Sequence, residues 1–448
     1  MDGSLNLIGL VTIVSNTSVL PHKAMLRILA MLAVVAVMLA AVPNEWSDVR
    51  TAIRVNLILA VAAGLATLWL IPQSKDLFIK ANLFGRDMHR KGRPQVPEAM
   101  GVVVGACYGI ALSCFLPFVF SSRSLIPSDL KLSMFMAALL SINAMCFLGF
   151  ADNVLNLRWR VKLFIPFATA LPLLLVYYAG SGSTRVLVPA IFGGYSSIDL
   201  GVLYYVFLAS LAVFATNAIN ILAGVNGLEV GQTLVLVGSL IVNNIIQLGR
   251  LDRNWVMWES HLFSFYLLVP FFAVSLALYK FNRYPAEVFV GDTYCYLAGM
   301  TIAASSILGQ TSKTVLLFMF PQVVNFLYSI PQLFGFIPCP RHRLPIYIED
   351  KDVVSISYTE WLNPETELSR SGRIVLLLIT RLRLAKIETE GGKVRVQNLT
   401  LLNAALWLFG DMHEARLTQT LLFMQCLWSG IAFAVRYYIA GWIYHVVH

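Results

Sequence analysis

Charged residues are scarce in this chain. Asp, Glu, Lys and Arg make up 13% of its 448 residues and hydrophobic residues make up 58%, whereas a soluble domain usually carries about 25% charged residues. Long apolar runs recur along most of the sequence, and crossing the hydrocarbon core takes roughly 20 such residues per helix. A membrane β-barrel would show alternating residues in shorter segments. These features exclude a soluble protein and predict an all-α polytopic membrane protein.

The motifs of several kinds of site are also missing. The six cysteines lie mostly in apolar runs and form neither a CxxC pair nor a metal-ligand spacing. The sequence has no Walker loop and no Ser/His/Asp order. The net charge of +9 would suggest a nucleic-acid partner in a soluble protein. Here the cations cluster in certain loops, so membrane orientation and anionic substrates explain them better and no nucleic acid is predicted.

Ten apolar segments are predicted to form the core membrane helices. Another apolar stretch, 24–43, precedes them and is either an eleventh span or a signal peptide; we favour an uncleaved anchor. The chain is therefore divided into an N-terminal extension (1–52), a membrane core with nine helices (53–336), an insert (337–416) and a last membrane helix (417–448). The ten segments are 53–72, 99–120, 132–151, 163–179, 202–222, 229–248, 261–279, 293–309, 314–336 and 417–440.

The loops on one side of these helices hold most of the cations, so the positive-inside rule makes that side cytosolic. Every dense polar cluster falls in the same loops, which predicts a single site at the cytosolic face. Within the insert, strand-like runs flank the amphipathic run RIVLLLITRLRLAKIE, so we predict a small mixed α/β element on the membrane surface, followed by an interfacial helix at 399–412. The cytosolic loops are 73–98, 152–162, 223–228, 280–292 and 337–416.

The first polar cluster is FLGFADNVLNLRWRVK at residues 147–162. Asp152 follows an apolar helix directly, and Asn156, Trp159 and Lys162 come soon after it. A carboxylate can orient a metal or accept a proton, and a lysine can hold phosphate. The alternative is a basic loop that anchors the membrane helix with an interfacial tryptophan.

The second and third clusters surround two further membrane helices. In NAINILAGVNGLEVG (217–231), Asn217, Asn220 and Gly224 fall at i, i+3 and i+7, which places them on one helix face. In RYPAEVFVGDT (283–293), Asp292 opens the next helix and Phe289 could stack on a flat base. Amide and carboxylate oxygens suit Mg²⁺, which binds one or two side chains plus substrate phosphates. Helix packing and helix capping are the respective alternatives.

The last two clusters are rich in cations. IPCPRHRLP (337–345) presents Arg341, His342 and Arg343 between prolines, an arrangement that suits a pyrophosphate. GRDMHRKGRPQVPEAMG (85–101) places Asp87 and Glu98 among four Lys and Arg residues, where a carboxylate could accept a hydrogen bond from a nucleoside. Snorkelling cations at a helix exit and a solvated basic loop are the alternatives. Together the five clusters suit a metal–pyrophosphate substrate better than a transported ion.

Four of these motifs identify a family resemblance. FLGFADNVLNLRWRVK, NAINILAGVNGLE, VFVGDT and IPCPRHRLP resemble the eukaryotic members of the polyprenyl-phosphate N-acetylhexosamine-1-phosphate transferases, a family that also includes the bacterial phospho-muramoyl-pentapeptide translocases. The resemblance runs from about residue 53 to the C-terminus. It implies ten membrane helices in the endoplasmic reticulum membrane, an active site facing the cytosol, and a homodimer.

The resemblance also implies the reaction. N-acetylglucosamine 1-phosphate would pass from UDP-N-acetylglucosamine to dolichyl phosphate with release of UMP, the first step of lipid-linked oligosaccharide synthesis for protein N-glycosylation. Tunicamycin would inhibit it. A dolichyl-phosphate oxygen would attack the sugar-bearing phosphate directly, although a two-step route through Asp152 stays open. The reaction would need Mg²⁺, with Mn²⁺ as an alternative ion.

The resemblance assigns roles to particular residues. Asn220 and Asp292 would hold the metal, while Lys162 and Arg341 would clamp the diphosphate. Asp152 would be the acidic residue near the acceptor phosphate. Phe289 would stack on uracil, Asn226 and the 85–88 backbone would read its edge, and His342 and Arg343 would recognise the sugar. The catalytic set is Asp152, Asn156, Lys162 and Arg341, and the substrate-binding set is Asp87, Met88, Glu98, Trp159, Asn226, Phe289, His342 and Arg343.

One position departs from the family pattern. The apolar helix is usually followed by an Asp-Asp pair, but here the second member is Asn153. A phosphate has its second pKa near 6, so a dianionic acceptor exists at pH 7 without a base and we predict an active enzyme. The alternatives are a catalytically impaired member or scaffold, an enzyme of the same chemistry with a different sugar or shorter polyprenol, and a transporter of nucleotide sugars. A transporter would show charges on both membrane faces and an internal repeat.

Overall fold

The computed structural model describes residues 47–120, 125–155, 157, 159–180, 182–188, 197–253, 255–340, 343–361, 368–390 and 393–441. The predicted span at 24–43 lies outside this part of the chain. The described residues are mostly helical, with four small antiparallel sheets. The fold is therefore that of a polytopic helical membrane protein with small β elements.

The helices occupy the positions that the apolar runs predict. The helices are α1 (Ser47–Lys80), α2 (Gly101–Val119), α3 (Ser128–Leu155), α4 (Trp159–Ala179), α5 (Val202–Ile221), α6 (Leu228–Arg250), α7 (Val256–Asn282), α8 (Gly291–Leu308), α9 (Ser312–Phe318), α10 (Phe320–Leu333), α11 (Arg370–Arg381), α12 (Leu401–Phe409) and α13 (Glu414–Ala434). A π-helical turn, Val435–Ile439, continues α13.

Seven of these helices are long and apolar enough to cross a membrane by themselves: α1, α2, α3, α5, α6, α7 and α13 with its π-helical turn. Helices α9 and α10 meet at a bend of 70° and together would make an eighth span. In α4 the apolar part runs only from Phe164 to Ala179, and the 18 residues of α8 include Asp292 and several Thr and Ser residues. Nine of the ten predicted segments thus each coincide with one helix, and the segment 314–336 covers α9 and α10. Seven or eight spans are found in the described residues, and the count of ten stays a prediction.

Helix α8 is the centre of the bundle, and it sets the position of Asp292 in its first turn. Every residue from Thr293 to Leu308 is buried. Neighbouring helices approach its backbone through glycines: a Cβ on Gly149 would lie 2.5 Å from the Cα of Thr293, and one on Gly299 would lie 2.3 Å from the Cα of Thr216 in α5. Side chains at these glycines would push the helices apart, so small residues make the close packing possible.

The insert is the mixed α/β element that the sequence predicts. Its strands are β5 (Ile346–Ile348), β6 (Val353–Ser355), β7 (Tyr358–Trp361), β8 (Ile387–Glu390) and β9 (Lys393–Gln397). β5 and β6 form a hairpin, and β9 lies between β7 and β8 in an antiparallel sheet. Earlier in the chain, the short strands β1 (Phe84–Arg86) and β2 (Gln95–Pro97) pair before α2, and β3 (Arg185–Leu187) pairs with β4 (Ser197–Asp199) before α5.

Buried amides join the insert to the membrane core. Gln332 of α10 donates a 2.8 Å hydrogen bond to Oδ1 of Asn398 and accepts one of 2.8 Å from the backbone N–H of Leu399. The hydroxyl of Ser329 donates to the carbonyl of Leu399 at 2.7 Å. Buried polar groups are costly unless paired, so these contacts fix Asn398 and Leu399 of the insert against α10.

Candidate active site

The C-terminal end of α3 presents a carboxylate that is held on several sides. Asp152 is only 3% exposed. Its Oδ2 lies 2.8 Å from Nζ of Lys162 and accepts a 2.9 Å hydrogen bond from the hydroxyl of Tyr296, while its Oδ1 accepts one of 3.0 Å from the N–H of Leu157. A buried carboxylate needs such donors. Asp152 is therefore fixed in orientation and holds Lys162 in turn.

Lys162 connects this carboxylate to the one at the start of α8. Its Nζ lies 3.3 Å from Oδ2 of Asp292, and Nδ2 of Asn220 donates to the other oxygen, Oδ1, at 2.8 Å. Four residues predicted as catalytic or metal-binding thus form a continuous chain: Asp152, Lys162, Asp292 and Asn220. The sequence prediction that these separate segments meet is confirmed for these four residues.

The turn that carries Asp292 is held by Asn153. Gly291 has φ of +68°, a left-handed conformation that glycine adopts without strain. A Cβ there would lie 2.6 Å from Oδ1 of Asn153. The same Oδ1 accepts hydrogen bonds from the N–H and the hydroxyl of Thr293, at 3.1 and 2.7 Å. The residue that departs from the family pattern therefore positions the first turn of α8.

A cavity of about 750 Å³ opens beside this chain of residues. Its walls come from the β1–β2 connection, the α5–α6 loop, the segment before α8 and the start of the insert. The predicted site residues that line it are Asp87, Met88, Glu98, Asn220, Asn226, Phe289 and Asp292. Segments far apart in the sequence thus do assemble one site.

The part of the cavity wall that includes Phe289 combines an aromatic ring with polar groups. Gly85 lies against Phe289, since a Cβ on Gly85 would be 3.0 Å from the ring and 3.3 Å from Oε2 of Glu98. Burial, and then the charge of Asp292, raise the pKa of Glu98. Asn226 donates from Nδ2 to Oδ2 of Asp87 at 3.0 Å. An amide, a carboxylate and an apolar ring together could recognise a nucleobase.

The α5–α6 loop corrects one detail of the sequence interpretation. Helix α5 ends at Ile221, so Gly224 is not on its face but in the following loop, with φ of +111°. Its N–H donates to Oε1 of Glu229 at 3.0 Å. Asn217 donates to the carbonyl of Val213 in its own helix. The helix ends three residues before Gly224, which is why the predicted i+7 spacing does not continue the face of Asn220.

Arg343 lies behind the cavity wall. Its Nη1 is 3.4 Å from the carbonyl of Leu399, and its own carbonyl accepts a 3.1 Å hydrogen bond from Asn403. Burial lowers the pKa of its guanidinium. The residues after it, 344–347, line the cavity. A role for Arg343 in sugar recognition stays a prediction.

Several other predicted site residues lie outside the described part of the chain. They are Asn156, Arg341 and His342. Trp159 begins α4, but its side chain is not described. Their assigned roles rest on the family resemblance.

Comparisons with known proteins place this chain in a family. The family described as glycosyl transferase family 4 matches residues 135–310. A protein of Saccharomyces cerevisiae named UDP-N-acetylglucosamine--dolichyl-phosphate N-acetylglucosaminephosphotransferase is 41% identical over 415 residues, which cover 86% of this chain and 91% of the yeast protein. The chain belongs to glycosyl transferase family 4. The resemblance seen in the four motifs is thereby confirmed.

Other relatives show how much of the chain is similar to other members of glycosyl transferase family 4. A protein of the same name from Dictyostelium discoideum is 40% identical over 398 residues, covering 84% of this chain and 87% of the relative. A phospho-N-acetylmuramoyl-pentapeptide-transferase from Clostridium beijerinckii is 26% identical over 233 residues, which cover 49% of this chain and 64% of the bacterial protein. The eukaryotic relatives thus match most of the chain, including residues beyond the family model.

The donor set of this glycosyl transferase family 4 site fits a magnesium ion. Among the described residues no group of three or more His, Cys, Asp or Glu side chains could cage a metal. Asp292 and Asn220 touch each other and both line the cavity. Mg²⁺ prefers oxygen ligands and usually keeps few protein ligands, the rest being phosphate or water. One carboxylate and one amide beside an open cavity match that preference.

Sequence reasoning missed two residues of the glycosyl transferase family 4 site. His89 and Glu414 both line the cavity and lie 3.2 Å apart, between Nδ1 and Oε1. Glu414 stands in the first turn of α13, where an acidic residue is expected for its favourable interaction with the helix dipole. In the sequence, His89 is indistinguishable from the other polar residues of a basic loop. Their 325-residue separation leaves no local pattern that would have paired them.

Proposed function

We propose that this protein transfers N-acetylglucosamine 1-phosphate from UDP-N-acetylglucosamine to dolichyl phosphate, giving N-acetylglucosaminyl-diphosphodolichol and UMP. We place it in the endoplasmic reticulum membrane as a homodimer with the site facing the cytosol, at the first step of lipid-linked oligosaccharide synthesis for N-glycosylation. The observation that carries the proposal is the chain from Asp152 through Lys162 to Asp292 and Asn220, at the edge of a cavity with Phe289 in its wall.

The nucleotide end of the cavity supports a uridine ligand. Phe289 offers a ring for stacking. Asn226 is fixed by Asp87, so its amide presents a defined edge to a base. The backbone of 85–88 and the carboxylate of Glu98 lie in the same wall. An amide held in one orientation can select a base by its pattern of donors and acceptors.

The diphosphate would lie beside Lys162, whose ammonium supplies a positive charge between two carboxylates. Asn220 and Asp292 would hold Mg²⁺, which would neutralise phosphate charge and so make the sugar-bearing phosphorus easier to attack. Lys162 would orient both phosphates and stabilise charge on the leaving UMP. Positioning and charge neutralisation are the main tasks in phosphoryl transfer.

The contacts of Asp152 favour direct attack by the lipid phosphate. Both of its oxygens accept hydrogen bonds, from Tyr296 and Leu157, and one contacts Lys162. A carboxylate held in this way is a poor nucleophile, which argues against a phosphosugar-enzyme intermediate. The acceptor phosphate is largely a dianion at pH 7. We therefore propose that Asp152 orients Lys162 and that a dolichyl-phosphate oxygen displaces UMP in one step.

A transfer assay with purified protein tests the function. UDP-N-acetylglucosamine, dolichyl phosphate and Mg²⁺ should give equal amounts of UMP and glycosylated lipid, and tunicamycin should stop both. Omitting the lipid controls for hydrolysis of the nucleotide sugar. No UMP in the complete mixture, or UMP formed equally without the lipid, would refute the proposal. Uptake of intact nucleotide sugar into vesicles without UMP release would instead support a transporter.

A further inference from the structure

His89 occupies an unusual position in the connection between β1 and β2. It is 4% exposed, and each ring nitrogen faces an acceptor: Nδ1 is 3.2 Å from Oε1 of Glu414, and Nε2 is 3.1 Å from the carbonyl oxygen of Pro345. Oε1 of Glu414 also accepts the N–H of Asn226 at 2.8 Å, so it acts as an acceptor. A neutral imidazole has one N–H, whereas an imidazolium has two. Only the cation can donate to both partners.

The charges around the ring favour that cation. Glu414 is 2% exposed, and a buried carboxylate is costly without a paired cation. The charged groups that act on His89 are Glu414 from α13 and Asp87 from its own loop, while the insert contributes the carbonyl of Pro345. Burial would lower the pKa of His89, but the hydrogen bond and charge of Glu414, the carbonyl of Pro345 and the charge of Asp87 outweigh it and raise the pKa.

The same contacts hold the nucleotide wall. Glu414 accepts the N–H of Asn226, and the hydroxyl of Thr418, one turn later in α13, donates to the Asn226 carbonyl at 3.0 Å. Asp87 accepts from Nδ2 of Asn226 through one oxygen and from the N–H of His89 through the other, at 3.0 and 3.2 Å. The backbone N–H and the side-chain amide of Asn226 are thus held by Glu414 and Asp87, and His89 contacts both of these carboxylates.

We propose that His89, as an imidazolium, is a positioning residue that joins the β1–β2 connection, the last membrane helix and the insert, and so holds Asn226 and Asp87 in place for the nucleotide. This inference rests on the proposed function, because that function assigns the nucleotide to this wall. When His89 loses its proton, one of its two hydrogen bonds is lost and Glu414 is left without its cation. Since the protonated ring holds the wall, nucleotide affinity is present at low pH and falls as pH rises through the pKa of His89.

The test follows the KM for UDP-N-acetylglucosamine and the Kd of UDP between about pH 6 and about pH 9, a range that covers a raised histidine pKa. For the unaltered protein we expect both constants to rise by about tenfold with pH, the effect of losing one hydrogen bond to a charged group, while kcat changes little. In His89→Gln one amide nitrogen cannot reach both acceptors, so both constants should be high and independent of pH.

Two further variants separate positioning from simple loss of fold. Glu414→Gln keeps an acceptor oxygen for Asn226 but removes the buried charge that stabilises the imidazolium, so the rise of both constants should move to lower pH. His413→Asn replaces the neighbouring imidazole, which accepts from the N–H of Ala415 at the start of α13, with another good capping residue. This control should keep the pH profile of the unaltered protein.

The inference is overturned if the Kd of UDP does not depend on pH in the unaltered protein, or if His89→Gln keeps the original values and profile. UDP binding needs no lipid acceptor, so the two proposals can fail separately. If no transfer occurs but the UDP affinity depends on pH and on His89, the proposed function is refuted and the positioning role of His89 is supported. If transfer is normal but the Kd of UDP does not change with pH, the proposed function is supported and the positioning role of His89 is refuted.

Discussion

The side-chain oxygen of Asn153 accepts two hydrogen bonds from Thr293, one from its backbone N–H and one from its hydroxyl. These bonds connect the end of α3 to the first turn of α8, directly beside Asp292. A carboxylate oxygen at position 153 could accept both bonds equally well. The side chain at position 153 therefore serves as a hydrogen-bond acceptor, a role that an amide can fill.

This role predicts the effect of two substitutions at position 153. Asn153→Asp should change kcat for transfer by no more than about threefold, since both acceptor bonds persist and charged acceptors are only modestly stronger. Asn153→Ala should lower kcat by about tenfold or more, because the freed N–H and hydroxyl of Thr293 cost about 1–3 kcal/mol and the Asp292 turn loosens. Rates measured under saturating substrates decide this. A large gain in Asn153→Asp would mean that the natural residue impairs catalysis.

Lys162 should be among the most sensitive positions. Replacing it with Gln leaves Asp152 and Asp292 without their shared cation and removes charge from the diphosphate. We expect kcat to fall by about 100-fold or more, as when one preorganised electrostatic contact is lost. Lys386→Gln is the matched control, because Lys386 also pairs with a carboxylate, that of Glu388, but in the insert. Equal rates for the two variants would contradict the assignment.

The metal assignment predicts loss of magnesium dependence. Asp292→Ala and Asn220→Ala should each abolish Mg²⁺-dependent transfer, and calorimetry should show that Mg²⁺ no longer tightens UDP binding. Asn217→Ala on the same helix is the control, since its amide bonds only to its own helix at Val213. Near-normal transfer in either test variant would remove that residue from the metal site. Mn²⁺ should substitute for Mg²⁺ in the unaltered protein.

The glycines at the contacts of α8 with its neighbouring helices should resist enlargement. Gly149→Ala and Gly299→Ala would each place a methyl group within 2.5 Å of backbone atoms, and overpacking typically costs about 1–3 kcal/mol. We expect a lower midpoint of thermal unfolding in detergent for both. Gly238→Ala is the control, because its Cβ would meet only the ring of Phe272 at an ordinary 3.5 Å. Unchanged midpoints in all three variants would show that α8 can shift freely.

The sequence predicted correctly that Asn220 and Asp292 lie together, whereas the count of ten spans and the roles of the site residues stay predictions. Asn220 and Asp292 are 72 positions apart, yet each carries an unusual polar group at a membrane boundary, and that shared feature placed them together correctly. Composition does not mark α8 as a span, because this helix is enclosed by other helices. Its Thr and Ser residues are buried in protein, so the apolar composition required for contact with lipid does not apply to it.

The missed contacts share a physical cause. Tyr296 lies inside α8 and reaches Asp152 only because α3 packs closely through Gly149. His89 and Glu414 each have an ordinary local explanation, and their partnership depends on α13 returning to the β1–β2 connection. Contacts of this kind come from the tertiary arrangement of helices, and hydropathy or motif spacing does not report that arrangement.

The attachment of the insert through Gln332, Ser329 and Leu399 has a practical consequence for anyone dissecting this protein. Excising residues 337–416 would leave amides of α10 unpaired inside the bundle and would remove Pro345 from the ring of His89. Residues 337–416 are thus a segment of the sequence that cannot be removed as an independent domain. A protein truncated there should fail to accumulate, whereas a nick in an exposed turn of the insert should leave both pieces associated.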